Sequence, residues 1–299
     1  MSEIATITFE QERGRLTSLA YRMLGDRAAA EDVVQNAWLR WSKVDHDTIR
    51  TPAAWLTTVT TRLAIDSLRS ARHNREVYVG VWLPEPILSD PNAGPETPEE
   101  ILGVAETVEL ALLWAMERLN PEERAAFILR EAFDTDYSDI AQTLGKSEVA
   151  CRQTVARARK RVNEGSPKFN APTKEVSDLL SRFVSAIHAQ NKEEVLALLS
   201  PTALALSDGG GKVRAALRPL VGPDDIVQVL IAVMSKSDST QTLQHVLANG
   251  QPAFALLQGT EADLVVTITP DETGKVGWVY IMRNPDKLQR AQADISKNN

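Results

Sequence analysis

Apolar residues recur at helical spacing over two long stretches of the chain, residues 9–76 and 109–163. Turn signals interrupt the first stretch at Leu24-Gly25-Asp26 and at Thr51-Pro52. Glycine favours the end of a helix, whereas aspartate and proline favour its beginning. The pattern therefore predicts successive helices in the first stretch and a second helical module in the other.

The periodicity changes after residue 172. Helices are predicted over 174–190 and 192–199, and another begins at Gly222-Pro223-Asp224, where proline takes the first helical position. The remaining pattern consists of alternating or β-rich runs at 202–207, 212–217, 241–249, 252–258, 263–269 and 275–283. Helices followed by strands with short turns predict an α+β domain with an antiparallel sheet.

The stretch between the two helical modules is acidic and rich in proline. Residues 77–117 contain eight acidic side chains, five prolines and no Lys or Arg. Its first half is a linker by composition, and a helix is predicted to resume near Pro98. The predicted domains are a first helical domain (1–80), an acidic linker (81–108), a second helical domain (109–164), a short linker (165–172), the α+β domain (173–285) and a tail (286–299).

The composition is ordinary for a chain of several soluble domains, with 299 residues and a net charge of −7. We expect no membrane span, because no apolar run reaches about 18 residues, and no signal peptide. The single cysteine, Cys151, excludes an internal disulfide and fits a reducing compartment. It does not combine with the four scattered histidines into a zinc site. We therefore expect a cytoplasmic protein without a metal or a cofactor.

Residues 136–162 have the pattern of a helix-turn-helix. Ser138 can cap a short helix that ends at Gly145, and Ser147 can cap the next one. The predicted buried stripe of the second helix consists of Cys151, Val155, Ala158 and Val162. Its opposite face is basic and contains Arg152, Gln153, Arg157 and Arg161. A solvated helix of an ordinary bundle is the alternative, but the tight glycine turn favours DNA binding.

Two helices of the first module have distinct faces. In residues 26–41 one face carries Asp32, Gln35, Asn36 and Leu39, and the other carries Ala30, Val33, Ala37 and Trp41. In the long helix of residues 51–76, the basic side chains that align are Arg62, Arg69 and His73, with Arg72 alongside.

At these residues the sequence resembles the bacterial extracytoplasmic-function sigma factors. The matching pieces are YRMLGDRAAAEDVVQNAWLRW, AAWLTTVTTRLAIDSLRSAR and LNPEERAAFILREAFDTDYSDIAQTLGKSEVACRQTVARARKRV, in the family's order and spacing. The sequence departs from the family at Thr61, where many members carry asparagine, so details of base capture at the −10 element are not transferred.

The resemblance implies a promoter-specificity factor for RNA polymerase rather than an enzyme. The resemblance assigns docking on the clamp helices of the polymerase β′ subunit to Asp32, Gln35, Asn36 and Leu39. It assigns contacts to phosphates of the opened −10 element to Arg62, Arg69 and Arg72. It assigns contacts to the −35 element in the major groove to Glu148, Arg152, Gln153 and Arg157. Among these, we expect Arg152 to bind guanine, Glu148 to accept from cytosine and Arg157 to bind phosphate.

Three further motifs, WLPEP at 82–86, DGGGK at 208–212 and NPDKL at 284–288, resemble the SigJ-type group of these sigma factors. That group carries a fused C-terminal SnoaL-like domain, an α+β fold with a curved antiparallel sheet around a pocket. The resemblance implies regulation in cis, without an obligatory separate anti-sigma factor. The candidate interdomain regulatory residues are Trp82, Pro84, Pro86, Asp208, Gly209, Gly210, Gly211, Lys212, Asn284, Pro285, Asp286, Lys287 and Leu288.

Other functions remain open at this point. The C-terminal pocket could hold a small ligand, or it could be catalytic through a group drawn from Asp208, His188, His245 and Tyr280. An ordinary DNA-binding repressor or activator is a further alternative. The polymerase-docking face of residues 26–41 favours the sigma factor, because a repressor has no need of it.

The glycine-rich loop SDGGGK at 207–212 resembles a phosphate-binding loop only superficially. A P-loop needs glycine where Leu206 stands and Ser or Thr where Val213 stands. The flanking runs predict a hairpin, for which two glycines suffice, so the third indicates the close approach of another group. We expect Asp208–Lys212 to face the helical modules or the 82–86 segment.

Overall fold

The computed structural model describes residues 3–76, 78–91, 109–165, 171–234, 241–259 and 261–297. These residues form two compact units. The helical unit contains the described residues of 3–76 and 112–165, and the α+β unit contains those of 78–91, 109–111 and 171–297. The helix predicted to resume near Pro98 falls outside the described residues.

The helical unit, which holds most of the two stretches predicted to be helical, consists of α-helices as expected. Its α-helices are α1 (Glu3–Leu24), α2 (Arg27–Trp41), α3 (Pro52–Glu76), α4 (Leu110–Met116), α5 (Pro121–Glu131), α6 (Tyr137–Leu144) and α7 (Glu148–Gly165). Asp26 caps α2 by accepting a hydrogen bond from the Ala29 amide at 2.9 Å. Asn120 and Glu123 form a capping box at the start of α5. The side-chain cap at Asp26 explains why the turn signal at Leu24-Gly25-Asp26 located the start of α2.

Helices α6 and α7 form the predicted helix-turn-helix. Gly145 ends α6 in the left-handed conformation, with φ of 65°. Helix α6 begins two residues earlier than expected, because Asp136 rather than Ser138 occupies the cap position. The buried stripe of α7 is the predicted one, with Cys151, Val155, Ala158 and Val162 each at most 2% exposed.

The α+β unit contains one seven-stranded sheet. Its strands are β1 (Leu88–Ser89), β2 (Leu199–Asp208), β3 (Leu220–Val221), β4 (Gln241–Ala248), β5 (Gln251–Gln258), β6 (Glu261–Pro270) and β7 (Val276–Met282). The order is β1-β4-β5-β6-β7-β2-β3, and every pair is antiparallel except β2 with β7, which is parallel. The predicted α+β class and largely antiparallel sheet are therefore confirmed.

Four helices complete this unit within the described residues: α8 (Thr173–His188), α9 (Lys192–Leu198), α10 (Pro223–Met234) and α11 (Pro285–Lys297). Helix α8 buries Val176, Leu180, Phe183 and Ile187, which repeat at helical spacing, in a core shared with β2, β5, β6 and β7. A fully buried side chain of this size stabilises the fold by about 1.5–3 kcal/mol. The segment beyond Asn284, predicted as a tail, contains the helix α11.

The prediction of a hairpin around the glycine loop is wrong. Residues 212–217 form no strand, and β2 pairs with β7 and with the two-residue strand β3 instead. The chain turns at the glycines, where the amides of Lys212 and Val213 donate to the Gly209 carbonyl. Arg283 then donates to the Arg214 carbonyl at 2.8 Å, which holds the segment outside the sheet.

None of the helices in the described ranges is both long and apolar enough to cross a membrane.

Candidate nucleic-acid interface and regulatory site

Helix α2 has a buried face and an open polar face. Ala30, Val33, Ala37 and Trp41 are buried, whereas Asp32, Gln35, Asn36 and Leu39 are all exposed. Leu39 is 47% exposed, which leaves an apolar side chain in solvent beside acidic and amide groups. The exposure agrees with a docking face, while the assignment to polymerase stays a prediction for these residues.

Two of the three arginines predicted for the −10 element are held by the second helical module. Arg62 donates from Nε to the Thr143 carbonyl at 2.9 Å and from Nη2 to the Gln142 carbonyl at 3.0 Å. These carbonyls lie at the C-terminal end of α6, where a helix favours positive charge. The guanidinium of Arg62 is therefore engaged by protein in this arrangement.

Arg69 makes a second connection between the modules. Its Nη2 donates to Glu122 Oε1 at 2.8 Å, and Glu122 also pairs with Lys146. These two cations lower the pKa of the Glu122 carboxyl, with the hydrogen bond from Lys146 as the largest cause. Arg72 lies in α3, but its side chain is outside the described part of the structure. Thr61 is fully buried and does not present its hydroxyl at the surface.

The four residues predicted to read the −35 element are exposed on α7. Arg152 pairs with Glu148 at 3.1 Å, and its guanidinium carbon lies 4.3 Å from the centre of the Tyr137 ring. Arg157 donates to Thr154 Oγ1 at 3.3 Å. The Tyr137 ring and the ion pair with Glu148 thus set the orientation of the Arg152 side chain in this structure. The sequence pattern of α7 did not indicate Tyr137, because this residue lies on the other helix.

The motifs at 82–86, 208–212 and 284–288 meet at one buried ion pair in the α+β unit. Lys287 Nζ donates to Asp208 Oδ2 at 2.7 Å, and the two side chains are 6% and 0% exposed. Asp208 also accepts from the Tyr78 hydroxyl at 2.5 Å, from the Leu83 amide at 2.9 Å and from the Gly210 amide at 2.9 Å. The contact expected between the glycine loop and the 82–86 segment is therefore present, while its regulatory role stays a prediction.

Aromatic rings enclose the Lys287 ammonium. It lies 4.3 Å from the Trp82 ring centre and 5.6 Å from that of Tyr78, and it donates to the Leu83 carbonyl. Asn284 Nδ2 donates to the Tyr78 hydroxyl at 2.9 Å. Burial raises the pKa of Tyr78, and its hydrogen bond to Asp208 raises the pKa further. A single cluster thus joins Tyr78 and the 82–83 backbone to β2 and to the start of α11.

The residues that follow Leu83 add a short strand to the edge of the sheet. We call residues 78–89 the docked segment. Strand β1 pairs antiparallel with the end of β4. Ile87 and Asn249 exchange two hydrogen bonds, the Ile87 amide to Asn249 Oδ1 at 3.0 Å and the Asn249 amide to the Ile87 carbonyl at 2.8 Å. Glu85 is fully buried, with Arg290 of α11 at 3.5 Å. Asn249 and Arg290 lie outside the three motifs, and no sequence pattern indicated them.

The glycine loop needs all three of its glycines. Gly210 and Gly211 have φ of +64° and +71°, and a Cβ on Gly210 would lie 2.6 Å from the Asn284 side chain. Gly209 has no positive φ, but a Cβ there would lie 2.4 Å from the Val213 carbonyl oxygen. The sequence indicated that another group approaches one of the glycines closely. At Gly209 that group is the loop's own backbone, the Val213 carbonyl.

Replacing Gly210 with alanine is expected to destabilise the α+β unit more than Gly250→Ala does. Both positions have positive φ, 64° and 74°, so both substitutions cost about 1–2 kcal/mol in backbone strain. Only Gly210→Ala also forces the Asn284 side chain to move, since nothing lies within 4 Å of a Cβ at Gly250. Urea unfolding of the two variants measures the difference, and equal losses of stability would contradict the packing of Asn284 against Gly210.

The α+β unit contains a small cavity. Its lining includes Glu109, Gln251 and Tyr280, and its volume is about 30 Å³, which is enough room for a water molecule. Gln251 donates to Glu109 Oε1 at 2.9 Å, and burial raises the pKa of both Glu109 and Tyr280. Leu83, Pro84 and other apolar side chains line an adjoining void. Neither space has room for a drug-sized ligand, whose pockets measure about 300–1,000 Å³.

The candidate acid and base residues of the α+β domain have separate environments. Asp208 is in the ion pair with Lys287, and Tyr280 lines the cavity. His188 and His245 are exposed, and His245 packs on the Phe254 ring rather than in the core. The described residues contain no group of three His, Cys, Asp or Glu side chains arranged for a metal ion.

Comparison with known proteins places these features in a family. The Sigma-70 region 2 family matches residues 8–74, and the Sigma-70, region 4 family matches residues 109–162. The ECF RNA polymerase sigma factor SigJ of Mycobacterium tuberculosis is 37% identical over 290 residues, which cover 94% of this chain and 92% of that protein. The chain belongs to the extracytoplasmic-function sigma factors.

Further comparisons agree with this assignment. The probable ECF RNA polymerase sigma factor SigI of Mycobacterium tuberculosis is 29% identical and is covered to 94% of its length. The crystal structure of SigJ matches with a TM-score of 0.75 and 33% identity, covering 94% of this chain and 97% of that one. The chain is therefore a sigma factor for transcription initiation. From here residues 8–74 are called region 2 and residues 109–162 region 4.

Proposed function

We propose that the C-terminal domain regulates this sigma factor in cis by holding the docked segment, which precedes the rest of the linker between regions 2 and 4. The observation that carries the proposal is the buried Asp208–Lys287 pair, which binds Tyr78 and Leu83 from that segment. All three motifs of the SigJ-type group contribute to it.

The linker has two competing environments in this proposal. In sigma factors the connection between the two modules threads a basic nucleic-acid channel of polymerase, and eight acidic side chains without a basic one in residues 77–117 suit that path. The same connection cannot thread the channel while Ile87 and Leu88 are bonded to the sheet of the C-terminal domain. Docking therefore lowers the population of the polymerase-competent arrangement.

The residue roles follow the same division. We assign polymerase docking to Asp32, Gln35, Asn36 and Leu39, phosphate contacts at the −10 element to Arg62, Arg69 and Arg72, and −35 recognition to Glu148, Arg152, Gln153 and Arg157. The exposure of the α2 and α7 residues supports the first and last assignments. Because Arg62 and Arg69 contact region 4 here, we further propose that region 4 must leave them before they reach DNA.

The proposal is for a binding protein of the cytoplasm, where polymerase and promoter DNA are found, without catalysis and without an obligatory separate anti-sigma factor. The void lined by Leu83 and Leu110 is too small for a ligand, so a small ligand of the C-terminal pocket would have to displace one of these side chains. Ligand binding would then oppose docking and favour transcription.

Removing residues 284–299 is expected to raise promoter-dependent transcription at limiting protein by at least about fivefold, the lower range of typical allosteric coupling. The deletion removes Lys287 and Asn284, so the docked segment loses the hydrogen bonds that these residues donate to the Leu83 carbonyl and the Tyr78 hydroxyl, and Asp208 loses its counter-charge. Multi-round transcription with core polymerase measures the effect, and removal of residues 298–299 alone is the control. Unaltered transcription would reject regulation by this segment, and a DNA-binding repressor would give no transcription with core polymerase at all.

A further inference from the structure

Helix α7 exposes one large apolar side chain at the end that would enter DNA. Val149 is 65% exposed, and it is the only large hydrophobic residue exposed to that degree within the described residues of 112–165. It lies in the first turn of the helix, between Glu148 and Arg152. N-terminal residues of a recognition helix are the ones that contact base edges.

The surrounding face of α7 suits close approach to the major groove. Val149, Arg152, Gln153 and Ala156 are spaced at helical intervals and are all exposed. The small side chain of Ala156 leaves room for DNA to approach the middle of this face. Valine is a poorer helix former than alanine, so helix stability does not explain its presence at an open position.

We propose that Val149 reads the 5-methyl group of a thymine in the −35 element. Valine has no side-chain donor or acceptor, so it cannot distinguish bases by hydrogen bonds. The thymine methyl is the apolar group in the major-groove code of the bases, and side chains without polar atoms recognise it by contact. This inference rests on the proposed −35 role of α7 and adds a specificity-determining residue to it.

The test uses holoenzyme made from core polymerase and the full-length chain, with DNA randomised over the −35 and −10 windows. Sequencing of transcribed templates defines a preferred promoter for the wild-type chain and for Val149→Ala. We expect Val149→Ala to lose preference for thymine at one −35 position and to keep the other preferences. Val233→Ala, the same change at an exposed helical valine of the C-terminal domain, is expected to keep them all.

Deoxyuridine then isolates the methyl group. Replacing the thymine at that position by deoxyuridine is expected to weaken promoter binding by wild-type holoenzyme about fourfold, the contribution of one buried methyl or methylene group. The Val149→Ala holoenzyme should bind both promoters equally. An equal deoxyuridine penalty in both proteins, or no sensitive −35 thymine in the wild type, overturns the role of Val149. Failure of the wild-type chain to direct any transcription overturns the proposed function instead.

Discussion

Replacing Lys287 with methionine is expected to weaken docking of the 78–89 segment by about 3–5 kcal/mol, which is more than a hundredfold in the docking equilibrium. Asp208 is fully buried, and its other hydrogen bonds come from Tyr78 and the amides of Leu83 and Gly210. Methionine retains the length of the side chain but removes the cation, so a carboxylate remains in the interior without its counter-charge. We expect the segment to detach rather than keep that charge buried.

Hydrogen exchange measures this detachment directly. The amides of Leu83 and Ile87 are bonded to Asp208 and Asn249, so their exchange should accelerate with Lys287→Met. The matched control is Lys212→Met, because Lys212 pairs with Asp286 at the same 2.7 Å but both side chains are more than half exposed. An exposed pair contributes about 0–1 kcal/mol, so this control should leave exchange almost unchanged. Equal acceleration in both variants would contradict the dominance of the buried pair.

The contrast between these two lysines shows what the sequence could predict about the site. The motifs at 208–212 and 284–288 each contain a lysine and an aspartate, and the resemblance marked all four as one regulatory group. The sequence does not show which lysine is buried with which aspartate. That choice follows from β2 lying beside β7, a parallel pairing between strands far apart in the chain, and long-range pairing leaves no local signal.

Local signals were sufficient for most of the fold. Asp26 and Gly145 mark helix ends through caps that depend only on neighbouring residues, and α8 is defined by the spacing of its buried side chains. The alternation of apolar and polar residues wrongly predicted a strand at 212–217. The pattern shows only which side chains are apolar, whereas a strand also needs a hydrogen-bonded neighbour. There the Arg214 carbonyl accepts from the Arg283 side chain instead. The sequence also gave no sign that region 4 binds Arg62, because the groups that accept hydrogen bonds from Arg62 are backbone carbonyls.

A disulfide between cysteines at positions 58 and 143 is expected to abolish promoter-dependent transcription. Thr58 Oγ1 and Thr143 Oγ1 lie 3.0 Å apart, so sulfur atoms in their place need to approach by only about 1 Å to reach the usual S–S length. The chain's own Cys151 is buried, which limits competing disulfides. Transcription by the double variant Thr58→Cys/Thr143→Cys should fall to background when oxidised and return with a reductant, whereas either single variant should be insensitive to oxidation.

The expected loss follows from the distance between the two promoter elements. Elements centred about 25 base pairs apart are separated by about 85 Å along B-DNA, at about 3.4 Å per base pair. Helix α3 has 25 residues and spans only about 37 Å, and Arg62 on this helix touches the end of α6. A sigma factor locked in this arrangement cannot place region 2 and region 4 on their elements together, and Arg62 remains engaged by backbone carbonyls instead of phosphates. Oxidised protein that transcribes as well as reduced protein would show that region 4 need not leave region 2, and that the contacts of Arg62 and Arg69 do not oppose promoter binding.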